Sequence, residues 1–376
     1  MLKLKKLCKK LWLWKILKFD KKNYKDYNFR KGECMKVIGV GNTGSKLAMM
    51  LDESSLLFST ADQDTNNFLK RNNVVVISNE GASKRFKTGV EIWNKNQNKL
   101  KEALSNIKNE NVILFSALGG GSGSSSLTPI SKILLEQNCK VLIVGILPFK
   151  KEVNPPLANG VLALNNIMPI IDKVSVLIFD NEKLLKQYDG EWRKINEHII
   201  QTVDYIINLL VKYNTDNYSP VTIDQSELNS VIFGGGFLDF SDTFVEETNP
   251  KFEYGSLNKS TKNCLICMFV DDKIEDRNKV DDYQNILSDI IIKFGRKVPN
   301  ARMIPGILRG NITDSGSENN VDDRCYFVIA SGLGVEPYLK KIEKMRDEAM
   351  KRATIFSEKE KGSKFVDNKS AKMLDI

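Results

Sequence analysis

Two glycine clusters carry the most chemistry in this 376-residue chain. The first, Gly39-Val-Gly41-Asn42-Thr43-Gly44, has the spacing G-x-G-x-x-G, and the second is Gly119-Gly120-Gly121-Ser122-Gly123-Ser124-Ser125-Ser126. Each follows an apolar run that reads as a strand and precedes a stretch that reads as a helix. Glycine lets backbone N–H groups approach a ligand with no Cβ in the way. A helix N-terminus adds unpaired donors and partial positive charge. Both places therefore suit phosphate. The first cluster nearly spells a Walker A loop, but Ser45 stands between Gly44 and Lys46 and displaces the lysine, so the P-loop reading fails. A nicotinamide-dependent oxidoreductase would use the first cluster with Asp62 or Asp64 as a ribose anchor about 20 residues on. That scheme leaves the second cluster without a role. Two phosphate-grade loops on neighbouring strand ends would instead enclose one triphosphate from both sides.

A third candidate is acidic. In Val221-Thr222-Ile-Asp224-Gln-Ser-Glu227-Leu the two carboxylates are three apart, on the same side of a first helical turn. This spacing serves a helix cap or a pair of groups that orient a water and accept its proton; the residues alone leave both open. His198 is the one histidine, which excludes His-rich metal sites and any mechanism needing two imidazoles. Cys264-Leu-Ile-Cys267 has zinc-knuckle spacing, but it lies in an apolar run that reads as a strand. Side chains three apart on a strand face opposite ways, so core packing is the expected role and no metal-ligating side chains are assigned. Six cysteines without a framework spacing predict reduced thiols and a cytoplasmic protein.

The elements that must hold these residues alternate. Strands are expected at 35–40, 56–60, 74–78, 112–117, 141–147 and 174–179, with helices at 45–51, 90–107, 130–136 and 156–171. A long helix at 191–213 carries Ile195, Ile199, Val203, Ile206 and Leu210 along one face. The alternation implies an α/β fold, a Rossmann-like parallel sheet covered on both faces. Turn-rich stretches fill 214–262, followed by strands at 264–270 and 326–330 with a helix at 283–294 between them. The expected division is a basic amphipathic extension at 1–32, a nucleotide-binding domain at 33–190, a central helix at 191–213, a smaller α/β domain at 214–335, and a charged helix with a Lys-rich tail at 336–376.

Several motifs in order resemble the tubulin/FtsZ superfamily of GTPases. Leu118-Gly-Gly-Gly-Ser122-Gly-Ser124 is similar to its signature loop GGGTGSG/GGGTGTG, with Ser122 in place of threonine. Residues 39–45 resemble its first phosphate loop, Ser59-Thr-Ala-Asp62-Gln-Asp64 its second, and Gly81-Ala82-Ser83 the third, which faces the γ-phosphate. Leu147-Pro-Phe-Lys-Lys-Glu152 resembles the PF-x-x-E segment near the ribose. Phe179-Asp-Asn181-Glu-Lys-Leu-Leu185 resembles PNDKLL, whose asparagine contacts the nucleoside, and Asn196 falls where the family places a guanine-binding asparagine. The 221–228 segment is similar to the family's N-x-D-x-x-D/E loop, with Thr222 for asparagine.

The resemblance implies GTP or GDP with Mg²⁺, bound by Gly41, Asn42, Thr43, Asp62, Gly81, Ala82, Gly119, Gly120, Gly121, Ser122, Gly123, Ser124, Glu152, Asn181 and Asn196. It makes Asp224 and Glu227 catalytic, acting on the nucleotide of an adjacent copy in a head-to-tail filament. The arginines that FtsZ carries after PF-x-x-E-G are missing, since Val153-Asn-Pro-Pro156 stands there. A charged terminal helix with a Lys-rich tail (Lys359, Lys361, Lys364, Lys369, Lys372) is most like the TubZ branch, which moves plasmid or phage DNA and whose tail engages a DNA-bound adaptor.

Charge is unevenly placed. The formal net charge is +9, yet residues 1–36 hold 13 basic and 3 acidic groups, leaving 43 basic and 44 acidic in the body. A neutral body gives no expectation of direct sequence-specific DNA binding. Residues 1–19 place Leu4, Leu7, Leu11 and Trp14 at helical spacing among seven lysines. The run is too short and too interrupted for a spanning helix or a secretory signal. It suits an anionic membrane surface or docking on its own domain. A membrane-associated FtsZ-like filament of division is accordingly the rival within the superfamily.

Overall fold

The computed structural model describes residues 35–362, apart from 62–72, 150, 153, 213, 216–220, 245–251, 253–254, 272–276, 311–324 and 335. The basic extension with its membrane or docking role, Asp62, Asp64 and the tail beyond 362 lie outside the described residues.

The chain opens with β1 (Met35–Val40), α1 (Gly41–Leu51), β2 (Leu56–Ser59) and β3 (Val74–Val76). Then come α2 (Phe86–Lys95), α3 (Gln97–Leu104), β4 (Asn111–Ala117), α4 (Gly121–Glu136), β5 (Lys140–Leu147) and α5 (Asn154–Ile167). A 3₁₀ turn (Met168–Lys173) leads into β6 (Val174–Asp180), α6 (Asn181–Gln187), α7 (Trp192–Ile207) and α8 (Leu209–Lys212). The second half contains β7 (Asn214–Thr215), α9 (Gln225–Ile232), β8 (Gly236–Phe244), β9 (Asn263–Asp271), α10 (Arg277–Gly295), β10 (Arg302–Gly310), β11 (Cys325–Leu333) and α11 (Glu336–Gly362).

Among the described residues eleven strands form one sheet in the order β3-β2-β1-β4-β5-β6-β8-β11-β9-β10-β7. Every neighbouring pair from β3 to β8 is parallel, β11 is antiparallel to both β8 and β9, and β9 and β10 run parallel. The two halves thus share a continuous sheet through β6 and β8, where Ser175 pairs with Gly236. Lys262 strengthens that joint with an ion pair to Asp172 at 2.9 Å.

Alternate strand residues divide the core into two layers, as a period of two demands. Ile38, Leu114 and Ile143 join Trp93, Leu134, Leu164 and Phe294 beneath α2 to α5 and α10. Val37, Ile113 and Leu142 join Leu47, Ile199, Val203 and Leu228 beneath α1, α7 and α9. Cys264 belongs to the first layer and Cys267 to the second, both fully buried, so the two thiols face opposite sides of β9. Among the described residues no three His, Cys, Asp or Glu side chains cluster to hold a metal, and no helix is long and apolar enough to cross a membrane.

Several boundaries differ from the periodicity. The helix expected from residue 45 starts at Gly41, and the one expected from 130 starts at Gly121. Glycine and serine weaken a helix interior, but both stretches are N-terminal turns. In the second, serine hydroxyls bond back to the previous turn: Ser125 Oγ donates to Gly121 O at 2.6 Å and Ser126 Oγ to Gly123 O at 2.7 Å. The expected helix at 90–107 is two helices, divided at Asn96, whose side-chain amide donates to Ile92 O at 2.8 Å and closes α2. Asparagine competes with the ladder in this way. The central helix α7 ends at Ile207, with Asn208 as its C-cap.

Candidate functional site

The glycine clusters meet at the C-terminal edge of the parallel strands, where open α/β sheets place their ligands. Gly41 follows β1 directly with φ +67°, a conformation L side chains rarely adopt, and a Cβ there would lie 3.7 Å from Gly123 N and 4.0 Å from Ser122 Cβ. Loop one therefore touches the first turn of α4. Thr60 Oγ1, one residue beyond β2, is hydrogen-bonded to Ser122 Oγ, which brings in loop two. Loop three is fastened to it, since Gly81 N donates to Thr60 O at 3.0 Å. On its other side a Cβ on Gly121 would lie 2.9 Å from Ala82 Cβ and 2.8 Å from Arg85 N. Thus Gly41, Gly81, Ala82 and residues 119–124 are brought together, with Asn42 exposed and Thr43 half-buried beside them.

The cradle is braced from behind. Trp93, fully buried, donates its indole N–H to Ser122 O at 3.2 Å and to Ser125 Oγ at 3.1 Å. Asn159 of α5, also buried, donates to Gly119 O at 2.9 Å and Lys84 O at 2.9 Å, and accepts from Phe86 N at 3.1 Å. This one amide fixes the second cluster against the third loop. Neither Trp93 nor Asn159 has a sequence signature; Thr60 lay inside a recognised motif without being singled out.

The other side of the pocket is built from β5, β6 and the start of α7. A Cβ on Gly119 would lie 3.4 Å from Glu152 Oε2, which puts this carboxyl against the second cluster. Burial raises the Glu152 carboxyl above its ordinary 4.5, opposed by the N–H of Phe149, which donates to Oε1 at 3.2 Å, and by Lys84. Phe149 meets Trp192 edge-on with centroids 5.8 Å apart, so the first turn of α7 lies beside this segment. Half-buried Asn196 is one turn further along α7. Asn181 begins α6 at the end of β6, and Leu147 pairs in register with Asp180, so residues 147–152 and Asn181 leave neighbouring strand ends. Below them His198 sits against Tyr188 (5.5 Å) and Phe179 (6.5 Å), and burial lowers its imidazole from 6.5 to about 4.

Asp224 and Glu227 are not part of this assembly. They form a capping box at the start of α9: Glu227 N donates to Asp224 Oδ1 at 2.7 Å, and Asp224 N to Glu227 Oε2 at 3.3 Å. The remaining Glu227 oxygen faces Arg302 Nη2 at 3.4 Å. Arg302 begins β10, and its N–H donates to Lys262 O at 2.8 Å just before β9. Since β6, β8, β9 and β10 share one direction, this is the N-terminal edge of the sheet. Seven residues of β6 at a rise of ~3.3 Å each put the two edges about 23 Å apart. Arg302 lay outside the motifs that the sequence singled out.

A doubly wound α/β domain with glycine cradles at its switch edge is a nucleotide-binding fold. Residues 41–189 match the model of the Tubulin/FtsZ family, GTPase domain. The chain is 25% identical to the tubulin-like protein CetZ of Pyrococcus horikoshii over 52% of its length, and 26% identical to the cell division protein FtsZ of Mycoplasmopsis pulmonis over 58%. These matches span 57% and 59% of the relatives' own lengths. Among solved structures, a GTPγS-form protofilament of TubZ from Bacillus thuringiensis serovar israelensis superposes with a TM-score of 0.67 at 16% identity, covering 88% of this chain and 94% of that one. A GTPγS-bound protofilament of CetZ2 from Haloferax volcanii gives 0.61 at 18%, covering 85% and 99%. The likeness of fold therefore extends beyond residues 41–189 into the second half of the sheet.

Proposed function

We propose that this chain binds GTP in the cradle of residues 41–43, 81–82 and 119–124, and hydrolyses it when a second copy docks its Asp224–Glu227 edge over the γ-phosphate. The observation that carries the reading is the placement of the two halves on opposite edges of one sheet. A patch at one edge that fits a different patch at the other is a heterologous contact, and repetition without closure makes a filament. Glu152, Asn181 and Asn196 hold the nucleoside side, and Asp62 belongs to the second phosphate loop that the resemblance implies.

The roles follow from charge. Backbone N–H groups of the glycine turns and the α1 and α4 N-termini stabilise the phosphates. Water attacks the γ-phosphorus in line, the bond to the bridging oxygen breaks, and Asp224 or Glu227 of the docked copy orients the water and takes its proton. Within one subunit Glu227 is held by its own capping box and by Arg302. That exposed pair is worth no more than about 1 kcal/mol, so docking can exchange it. Mg²⁺ would be held mainly by the nucleotide's own phosphates and waters, with Asp224 or Glu227 of the docked copy as the carboxylate, and would offset phosphate charge there.

Of the duties the resemblance implies, we carry forward positioning of plasmid or phage DNA through a tail-bound adaptor. The charged α11 and the extent of the likeness to TubZ support this branch.

A mixing experiment tests the shared site. Gly120→Asp places a carboxylate in the cradle at an N-cap whose side chain would meet only Ala117 O at 4.0 Å, so the fold is retained while phosphate is repelled. Glu227→Ala removes the acidic half. Each alone should release phosphate at under a hundredth of the wild-type rate, and an equimolar mixture should recover about a quarter of it through random pairing of intact edges. No recovery on mixing, or hydrolysis independent of protein concentration, refutes a site made by two copies.

A further inference from the structure

Asp180 ends β6 immediately before Asn181 and is 2% exposed. A carboxylate this buried stays charged only if it is paired and hydrogen-bonded. Two elements meet that need. One oxygen accepts from Glu182 N at 2.9 Å, capping α6. The other is ion-paired with Lys341 Nζ of α11, 161 positions further along the chain. Lys341 is drawn out of solvent to make this contact: its side chain is 24% exposed, and burial lowers its ammonium from 10.5 to about 8.

The helix that delivers it is seated by its neighbours on the same face. Tyr338 stacks on Phe237 of β8 with centroids 4.2 Å apart and an interplanar angle of 19°. Ile342 is 2% exposed, and a Cβ added to Gly160 of α5 would lie 3.9 Å from its Cγ2 and 3.5 Å from Pro148 Cδ. Positions 338, 341 and 342 are three and four apart, as one helical face requires. The face that anchors α11 therefore also approaches residues 147–149 and the Asp180–Asn181 corner.

We propose that Lys341 is a positioning residue of the nucleotide site: through its ion pair with Asp180, α11 fixes the turn that presents Asn181, so the seating of the C-terminal helix sets how tightly the nucleoside is held. This rests on the GTP reading above. A partner that draws α11 away would then weaken nucleotide binding, and bound nucleotide would oppose that partner by the same factor.

The test uses the full-length chain with two variants. Lys341→Met leaves Asp180 charged and unpaired. Asp180→Asn/Lys341→Met removes both charges while keeping a residue that caps α6. Melting temperature is measured without nucleotide, and KM and kcat for GTP under assembling conditions. Lys341→Met is expected to raise KM about tenfold with kcat at saturation changed less than twofold, the pattern of lost uniform binding. The double variant should melt near the wild-type temperature yet keep the raised KM. A merely stabilising pair would let KM return with the melting temperature, and that result overturns the inference. A KM for Lys341→Met within twofold of wild type also overturns it, and the double variant decides if the single one does not fold. A wild-type chain that neither binds nor hydrolyses GTP removes the nucleotide reading itself, and this inference with it.

Discussion

His198 offers a prediction whose size can be worked from one titration. Its ring lies against Tyr188 and Phe179, at the base of the corner that holds Asn181 and Asn196, and burial lowers it from 6.5 to about 4. The folded state therefore keeps a neutral imidazole while the unfolded chain takes up a proton as pH falls through 6.5. Stability from this residue is complete above pH 6.5, is lost progressively between 6.5 and 4, and changes no further below 4, where both states are protonated. A difference of about 2.5 units at 1.36 kcal/mol each gives about 3.4 kcal/mol in full, and about 2.5 kcal/mol at pH 4.5. It is the sole histidine, so His198→Phe isolates the effect and offers the two rings an aromatic partner of similar size. Urea unfolding of both proteins at pH 7.0 and 4.5 gives the four free energies, and carboxylate contributions common to both cancel. The variant should gain about 2.5 kcal/mol relative to wild type on going to pH 4.5. An unchanged difference between the two proteins would mean that His198 titrates as an exposed imidazole, and the packing described here for the start of α7 would be wrong.

Two glycine substitutions should separate strain from steric conflict. Gly41→Ala has no atom nearer than 3.7 Å but must hold φ +67°, costing about 1–2 kcal/mol in a melt; Gly123→Ala drives a Cβ to 2.8 Å from the backbone oxygen of Ala117 and 2.6 Å from Ser116 Oγ, so it should destabilise more, by about 1–3 kcal/mol. Arg302→Ala should leave the melting temperature within about 2 °C, because its pair with Glu227 is exposed. It should also change the concentration dependence of phosphate release, which a phosphate assay reads directly. Burial pushes the Cys264 thiol up to about 12 and raises Cys267 further still, so neither should react with a thiol reagent in the folded protein, and both should on unfolding. Modification of either in native conditions would contradict the two-layer core.

The sequence made the parallel sheet legible because buried strands leave continuous apolar runs. The face of α7 was visible through Ile195, Ile199, Val203 and Ile206, all of which are buried. Its glycine clusters were found because phosphate cradles require residues without a Cβ. The same glycines concealed the starts of α1 and α4, since glycine and serine read as loop, and at α4 the contacts with Thr60, Ala82 and Trp93 hold the first turn in place. Asn159, Arg302 and Lys341 were invisible for a different reason. Each acts on a residue 40 to 161 positions away, and no local pattern encodes such a partner. Whether Asp224 and Glu227 serve a cap or catalysis stays double in the structure too: the capping box is formed, and the same two carboxylates stand at an exposed edge.

The proposed double role has a physical logic. A capping box fixes both carboxylates in place at the N-terminus of α9. It also satisfies them inside their own subunit, so they are available without being mobile. Among the described residues the opposite edge offers N–H groups and helix N-termini, and its carboxylates are Glu152, which burial biases toward its neutral form, and Asp180, which is ion-paired with Lys341. In the proposed function an anionic nucleotide is accepted at one edge and meets the Asp224–Glu227 pair only when another copy arrives. Phosphates brought toward two carboxylates repel them unless a cation intervenes, and Arg302 stands beside Glu227 at that edge. In the proposed function the guanidinium that restrains Glu227 in the lone subunit becomes the counter-charge at the contact, and hydrolysis reports the presence of a neighbour because the two edges lie about 23 Å apart along the strands.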